Sequence, residues 1–203
     1  MLMIVIYIVY SFGTDLLNKY LNEKGLLTKH LDETLLSLFT IVEFCCFSLF
    51  FYYTIFRHLV LRKIILVTIV SFTVFCLAYF FFEFSKNSNL DTIPVTFQAI
   101  FIMSLCVIFY FEQIRNPNSL FIYSTSEFWI VTGILVYLAG TFFIFIYSAD
   151  LTQEEFKRFW PINYIFNTIK NLLFGLAIFI HRKKDSKANE KDLLDYQSIL
   201  ENP

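Results

Sequence analysis

Five long apolar runs dominate this chain: Thr34 to Phe56, Ile64 to Phe82, Ile93 to Phe111, Phe128 to Tyr147 and Ile162 to Ile180. Each holds about nineteen residues or more, which at 1.5 Å per residue crosses roughly 30 Å of hydrocarbon. A backbone inside hydrocarbon has to satisfy its own N–H and C=O groups, and runs of this length do so as helices. A sixth run starts at Met1 and is apolar only to Phe12. Continued through Gly13 and Thr14 to Leu17, it makes a marginal span that carries Asp15. It has neither a basic leading region nor a small-residue cleavage site, so it reads as a retained span and not as a removed signal peptide. The expected fold class is all-α, an integral membrane helical bundle of about six transmembrane helices.

Composition agrees. Of 203 residues, 57% are hydrophobic and only 16% charged, with mean hydropathy +0.62, against about a quarter charged in soluble domains. The 27 Phe residues are interchangeable with Leu, Ile and Val as lipid-facing groups and do not mark a cofactor box. A net charge of −1 excludes nucleic acid as a partner, because neutralising phosphates takes a basic surface. The expected partners are membrane lipids and a membrane or cytoplasmic protein. Cys45, Cys46, Cys76 and Cys106 lie inside apolar runs, where a free thiol acts as a small hydrophobe, so neither a disulfide nor a zinc site is expected. His30, His58 and His181 lie outside the runs, which leaves no pair of intramembrane imidazoles for a haem. No cofactor or metal is expected.

The chain divides into a bundle over residues 1–180 and a charged tail over 181–203. Asn116-Pro117-Asn118 signals a turn, and Ser124 with Glu127 makes a capping box before the fifth span. Thr152 with Glu155 makes another, predicting a short interfacial helix that ends near Trp160, with Pro161 in the first turn of the last span. In the tail, Leu193, Leu194, Tyr196, Ile199 and Leu200 form at most a short amphipathic turn or two within a mostly disordered segment. Arg57, Arg62, Lys63, Arg115, Arg182, Lys183, Lys184, Lys187 and Lys191 fall on one side, against Lys19, Lys24, Lys29, Lys86, Lys157 and Arg158 on the other. This positive-inside bias puts the C-terminus in the cytoplasm and, with an even number of spans, Met1 as well.

Ile41-Val42-Glu43-Phe44, Tyr110-Phe111-Glu112-Gln113-Ile114, the stretch from Pro117 to Ser124, and Phe128-Trp129 through Tyr137-Leu138-Ala139-Gly140-Thr141-Phe142-Phe143 together resemble an uncharacterised family of multi-pass inner-membrane proteins common in Bacteroidota. The likeness covers most of the chain and implies one further helix upstream of the first span, giving seven in a family-like form. It also implies gene neighbourhoods shared with sensor kinases, which is association and not mechanism.

Ionisable side chains inside a bilayer are costly, so each is a candidate site. Glu43 lies about nine residues into the second span and Lys170 about nine into the last, both counted from the outer side, which at 1.5 Å per residue puts both near the midplane. A mutual ion pair facing the interior is the cheapest arrangement; the functional reading is a proton or ligand site, and the structural one is an ion pair or a neutral Glu43 bonded to a neighbouring helix. Asn163, Asn167, Lys170 and Asn171 recur at spacings of four, three and one, placing all four on one helical face. Such a stripe suits interhelical hydrogen bonding as readily as a pore. Gln98 and Glu112, about four turns apart, share a face of the fourth span; Glu112 sits at the boundary beside Arg115, where a snorkelling surface pair is the ordinary outcome. Gly133, Gly140 and Thr141 put small residues on one face of the fifth span, a signal of close helix packing.

HExxH, GxSxG and glycine-rich phosphate loops are missing, and the spans hold Ser and Cys but no His to serve as a base. The expected function is therefore a non-catalytic membrane sensor or accessory subunit acting with a partner. The alternative is a small transporter or channel built on Glu43 and Lys170, although no internal repeat and no matched pair of broken helices supports it.

Overall fold

The structure, a computed structural model, describes residues 1–26, 29–54, 59–83, 92–115, 122–147 and 153–201. The apolar runs become six helices: α1 (Leu2–Glu23), α2 (Lys29–Thr54), α3 (Leu59–Glu83), α4 (Thr92–Arg115), α5 (Ser126–Tyr147) and α6 (Gln153–Glu201). A 3-10 turn at Ile122–Ser124 precedes α5, and the described residues include no strand. Every helix contains a stretch long and apolar enough to cross a bilayer: Leu2–Glu23, Thr34–Thr54, Leu59–Tyr79, Ile93–Arg115, Ser126–Ile144 and Pro161–Lys183. The chain is thus an all-α, multi-pass membrane protein. The turn at residues 116–118, Arg57, His58, Lys86 and the cap at Thr152 lie outside the described residues.

Side-chain pairs give the helix directions. Tyr7 of α1 lies against Phe47 of α2 and Tyr10 against Phe39, so climbing α1 descends α2. Glu43 meets Gln98 and Phe44 meets Phe101, so α2 and α4 are parallel. Gly133 of α5 lies against Phe174 of α6 and Gly140 against Phe166, so this pair is antiparallel. The bundle therefore has a near face, where α1, α3 and α5 begin, and a far face, where α2, α4 and α6 begin. Neighbours in sequence are mostly neighbours in space, α2 also packs on α4, and the α5–α6 contact is the most extensive.

Small residues make that last contact close. A methyl added at Gly140 would come within 2.4 Å of the Phe166 ring, and one at Gly133 within 3.1 Å of Phe174. In lipid, where apolar surface supplies no drive for association, this proximity gives the dispersion contacts that hold helices together. Hydroxyls inside the spans satisfy themselves locally: Thr40, Thr73, Thr132 and Thr141 donate to the carbonyl one turn earlier at 2.7–3.0 Å. At the far end of α1, Gly25 adopts φ +65°, which lets the Leu26 N–H reach the Leu21 carbonyl at 3.0 Å and the Gly25 N–H reach that of Asn22 at 3.1 Å. This is a Schellman closure at a position where a side chain is disfavoured.

Three sequence expectations change. The first span extends beyond Leu17 to Glu23, because polar Asn18, Lys19 and Asn22 continue a helix that leaves the hydrocarbon there. Helix α5 starts at Ser126, with Glu127 in the first turn beside the positive end of the helix dipole. No break occurs near Trp160: α6 runs through Pro161 without interruption, although the proline nitrogen donates no hydrogen bond and its ring crowds the carbonyl one turn earlier. The same helix continues past the membrane to Glu201, where disorder was expected. A charged segment that prolongs an existing span bears no nucleation cost, and propagation is the easy step.

Candidate functional site

Helix α2 carries the centre of the site. Glu43 is 4% exposed, and a carboxylate at that depth requires partners for both oxygens. Each has one. The Tyr7 hydroxyl on α1 donates to Oε1 at 2.7 Å, and the Gln98 amide on α4 donates to Oε2 at 2.7 Å. The Lys170 ammonium on α6, fully buried, donates in turn to the Tyr7 oxygen, and its Nζ stands 3.8 Å from Glu43 Oε1. Tyr7 therefore bridges the ion pair, accepting from the cation and donating to the anion.

Aromatic faces complete the seat of the ammonium. Its nitrogen lies 3.9 Å from the centre of the Tyr137 ring on α5 and 4.7 Å from that of Tyr7, positions at which a ring quadrupole attracts a cation. Phe47 and Phe174 close around Tyr7 with centroids 4.7 and 6.2 Å away. Five helices thus converge on one neutral cluster of a cation, a hydroxyl, an anion and an amide. In a low-dielectric interior such a network holds its geometry only if every member is satisfied. One atom is not: Gln98 Oε1 is buried with no hydrogen-bond partner among the described residues.

The sequence candidates divide cleanly. Glu43, Lys170 and Gln98 meet. Asn163 and Asn167 are half-buried on the face of α6 that carries Lys170, and the Oδ1 of each is enclosed with no partner among the described residues. Asn171 is exposed, which corrects its assignment to the stripe: it sits about 100° around the helix from Lys170 and turns off the interior face. Glu112 stands about four turns from Gln98 along α4, in an open groove with Val60, Leu61, Ile108, Phe111 and Arg115, and takes no part in the cluster. Tyr7 and Tyr137 were not singled out from sequence. Tyr137 sits in an apolar run without signal, whereas Tyr7, Ser11, Thr14 and Asn18 recur at helical spacing in the first run and mark a polar face.

The four cysteines are free thiols. Among the described residues no group of three or more His, Cys, Asp or Glu side chains is arranged to hold a metal ion. What the cluster can do chemically is hold and exchange a proton between Glu43, Tyr7 and Lys170, because these groups are already joined by hydrogen bonds. No protein-family model, no curated protein and no solved structure shows significant similarity to this chain.

Proposed function

We propose that the chain is a non-catalytic sensor or accessory subunit of the inner membrane, with its C-terminus in the cytoplasm, that acts on a protein partner. Helix α6 carries this reading. One uninterrupted helix holds Lys170 inside the bundle and then leaves the membrane as a charged arm ending at Glu201. Any change in how Glu43 and Tyr7 hold Lys170 is then delivered to the cytoplasm as a displacement of that arm, the kind of two-state element a switch requires. The excess of Lys and Arg on the near face supports the orientation, and the resemblance to Bacteroidota membrane proteins is compatible with it.

The test is affinity purification from native-host membranes in mild detergent, with the full chain compared against a chain ending after Lys184. A partner recovered stoichiometrically with the full chain and lost with the shortened one is expected. Recovery of the protein alone under both conditions refutes the reading. The enclosed oxygens of Gln98, Asn163 and Asn167 favour a second reading, a small proton-coupled transporter or channel; proton uptake by reconstituted proteoliposomes decides it, and silence across neutral and acidic pH removes it.

A further inference from the structure

Buried polarity is distributed unevenly across the bundle. From the level of Glu43 and Lys170 to the far face, the buried polar side chains are Ser11, Thr14, Thr40 and Thr141; from that level to the near face, among the described residues, they are Ser48 and Ser126. The near half is filled instead by Ile4, Phe47, Phe51, Leu105, Phe109 and Phe174.

Thr14, Thr40 and Thr141 spend their hydroxyls on carbonyls of their own helices, and the far-side polar faces that remain are those of α1 and α6, the helices joined by the Lys170–Tyr7 hydrogen bond. The inward stripe of α1 beyond Tyr7 is Ser11, Thr14 and Asn18, with no buried apolar residue among them. Exposure rises along it from 0% at Tyr7 to 5% at Ser11 and 9% at Thr14, and Asn18 is half-buried. Asn167 and Asn163 climb α6 on the face of Lys170. Asn18, Asn163 and Asn167 each enclose an Oδ1 with no partner among the described residues, and so does Gln98, itself 2% exposed, with its Oε1. Gln98 and Asn167 place these acceptors nearest the ionic cluster and Asn163 and Asn18 carry them on toward the far face, an ordinary arrangement beside ordered water, which typically makes about three hydrogen bonds to buried polar groups. The near half also encloses Ser48 Oγ on α2 and Arg62 Nε on α3, but neither lies on α1 or α6.

We propose that α1 and α6 flank a hydrated vestibule, open on the far face and closed on the near face by the aromatic layer, through which water and protons reach the Glu43–Tyr7–Lys170 cluster. This rests on the reading of that cluster as the receiving element of a sensor, and it specifies the stimulus as acidity on the far side of the membrane. A proton carried in adds to the Glu43 carboxylate, so the cluster passes from neutral to singly positive and Lys170 loses its counter-charge. The titratable or charged groups that face Glu43 and Lys170 are Tyr7 and Asp15 from α1, Cys46 from α2, and Tyr137 from α5; α4 offers the neutral Gln98, and α3 packs there through Phe72. One-sided access separates this device from a transporter, which needs a route to both faces.

Cysteine accessibility tests it without a partner, so its failure is distinct from failure of the sensor reading. Ser11→Cys, Thr14→Cys and Asn167→Cys are made in the wild-type chain, whose own thiols lie in apolar surroundings. Membranes of each orientation are treated with a membrane-impermeant trimethylammonium methanethiosulfonate, and adducts are located by mass spectrometry. The expected result is one adduct per chain at each introduced thiol from the far face, none from the near face, and none at Cys46 or Cys106. Two outcomes overturn the proposal: no adduct at positions 11, 14 and 167 in chains that label after unfolding in detergent, or equal labelling from both faces. As a second readout, acidifying the far side should produce a carboxylic-acid carbonyl band in infrared difference spectra that Glu43→Gln lacks. A band that forms only on near-side acidification overturns the stated access.

Discussion

Removal of one charge from the Glu43–Lys170 pair is the perturbation the structure predicts most sharply. At a separation of 3.8 Å, two unit charges attract by about 4 kcal/mol at an effective dielectric of about 20. Lys170→Met removes that attraction and leaves Glu43 to the Tyr7 hydroxyl and the Gln98 amide. Glu43→Gln leaves a buried ammonium with Tyr7 and the Tyr137 face. Stranding one member of a buried pair costs about 3 to 5 kcal/mol, so each single variant should lose most of its folded population in a denaturant titration in mixed micelles. The double variant has no stranded charge and should recover about 2 to 3 kcal/mol relative to the sum of the singles, within the range of coupling energies between contacting groups. Because Tyr7 joins the two, the cycle repeated with Tyr7→Phe should give a smaller coupling. A double variant whose loss equals the sum of the single losses would refute the pairing. A coupling unchanged by Tyr7→Phe would refute the bridge.

The remaining predictions read out in the same purified protein or in whole cells. Gln98→Leu removes the donor to Glu43 Oε2 and should cost about 1.5 to 3 kcal/mol, as for a hydrogen bond to a charged group; an unchanged melting curve counts against that bond. Gly140→Ala drives a methyl into the Phe166 ring and should destabilise by about 1 to 3 kcal/mol, with Phe166→Leu restoring part of the loss; Gly175→Ala, where the added methyl meets nothing within 4 Å, is the neutral control. Gly25→Ala should cost about 1 kcal/mol through its left-handed backbone, and Gly25→Asn less, as measured by thermal unfolding in detergent. A cysteine at Asn87 should react with impermeant maleimide from outside intact cells and one at Asn189 should not; the reverse pattern refutes the proposed orientation.

The spans were legible because they depend on local chemistry: a run of apolar residues long enough to cross hydrocarbon has no other stable state, whatever surrounds it. The same logic located Glu43, Gln98 and Lys170, since a polar group at that depth is costly wherever its helix points. Depth along a helix is a one-dimensional property and can be counted from the chain. The angular position of each helix about its axis, and the order in which helices surround one another, come from packing between distant segments. That is why Asn171, counted into the polar stripe, turned outward, and why Tyr7, separated from Lys170 by nearly the whole chain, was not placed between the two charges. Continuity of α6 through Pro161 was hidden for a different reason: capping and proline signals weigh a few local bonds, whereas a bundle and a membrane span hold the helix on both sides of the break. Local composition decided that this chain lives in a bilayer as six helices, and only tertiary packing decided that five of them close on a single ion pair bridged by a tyrosine.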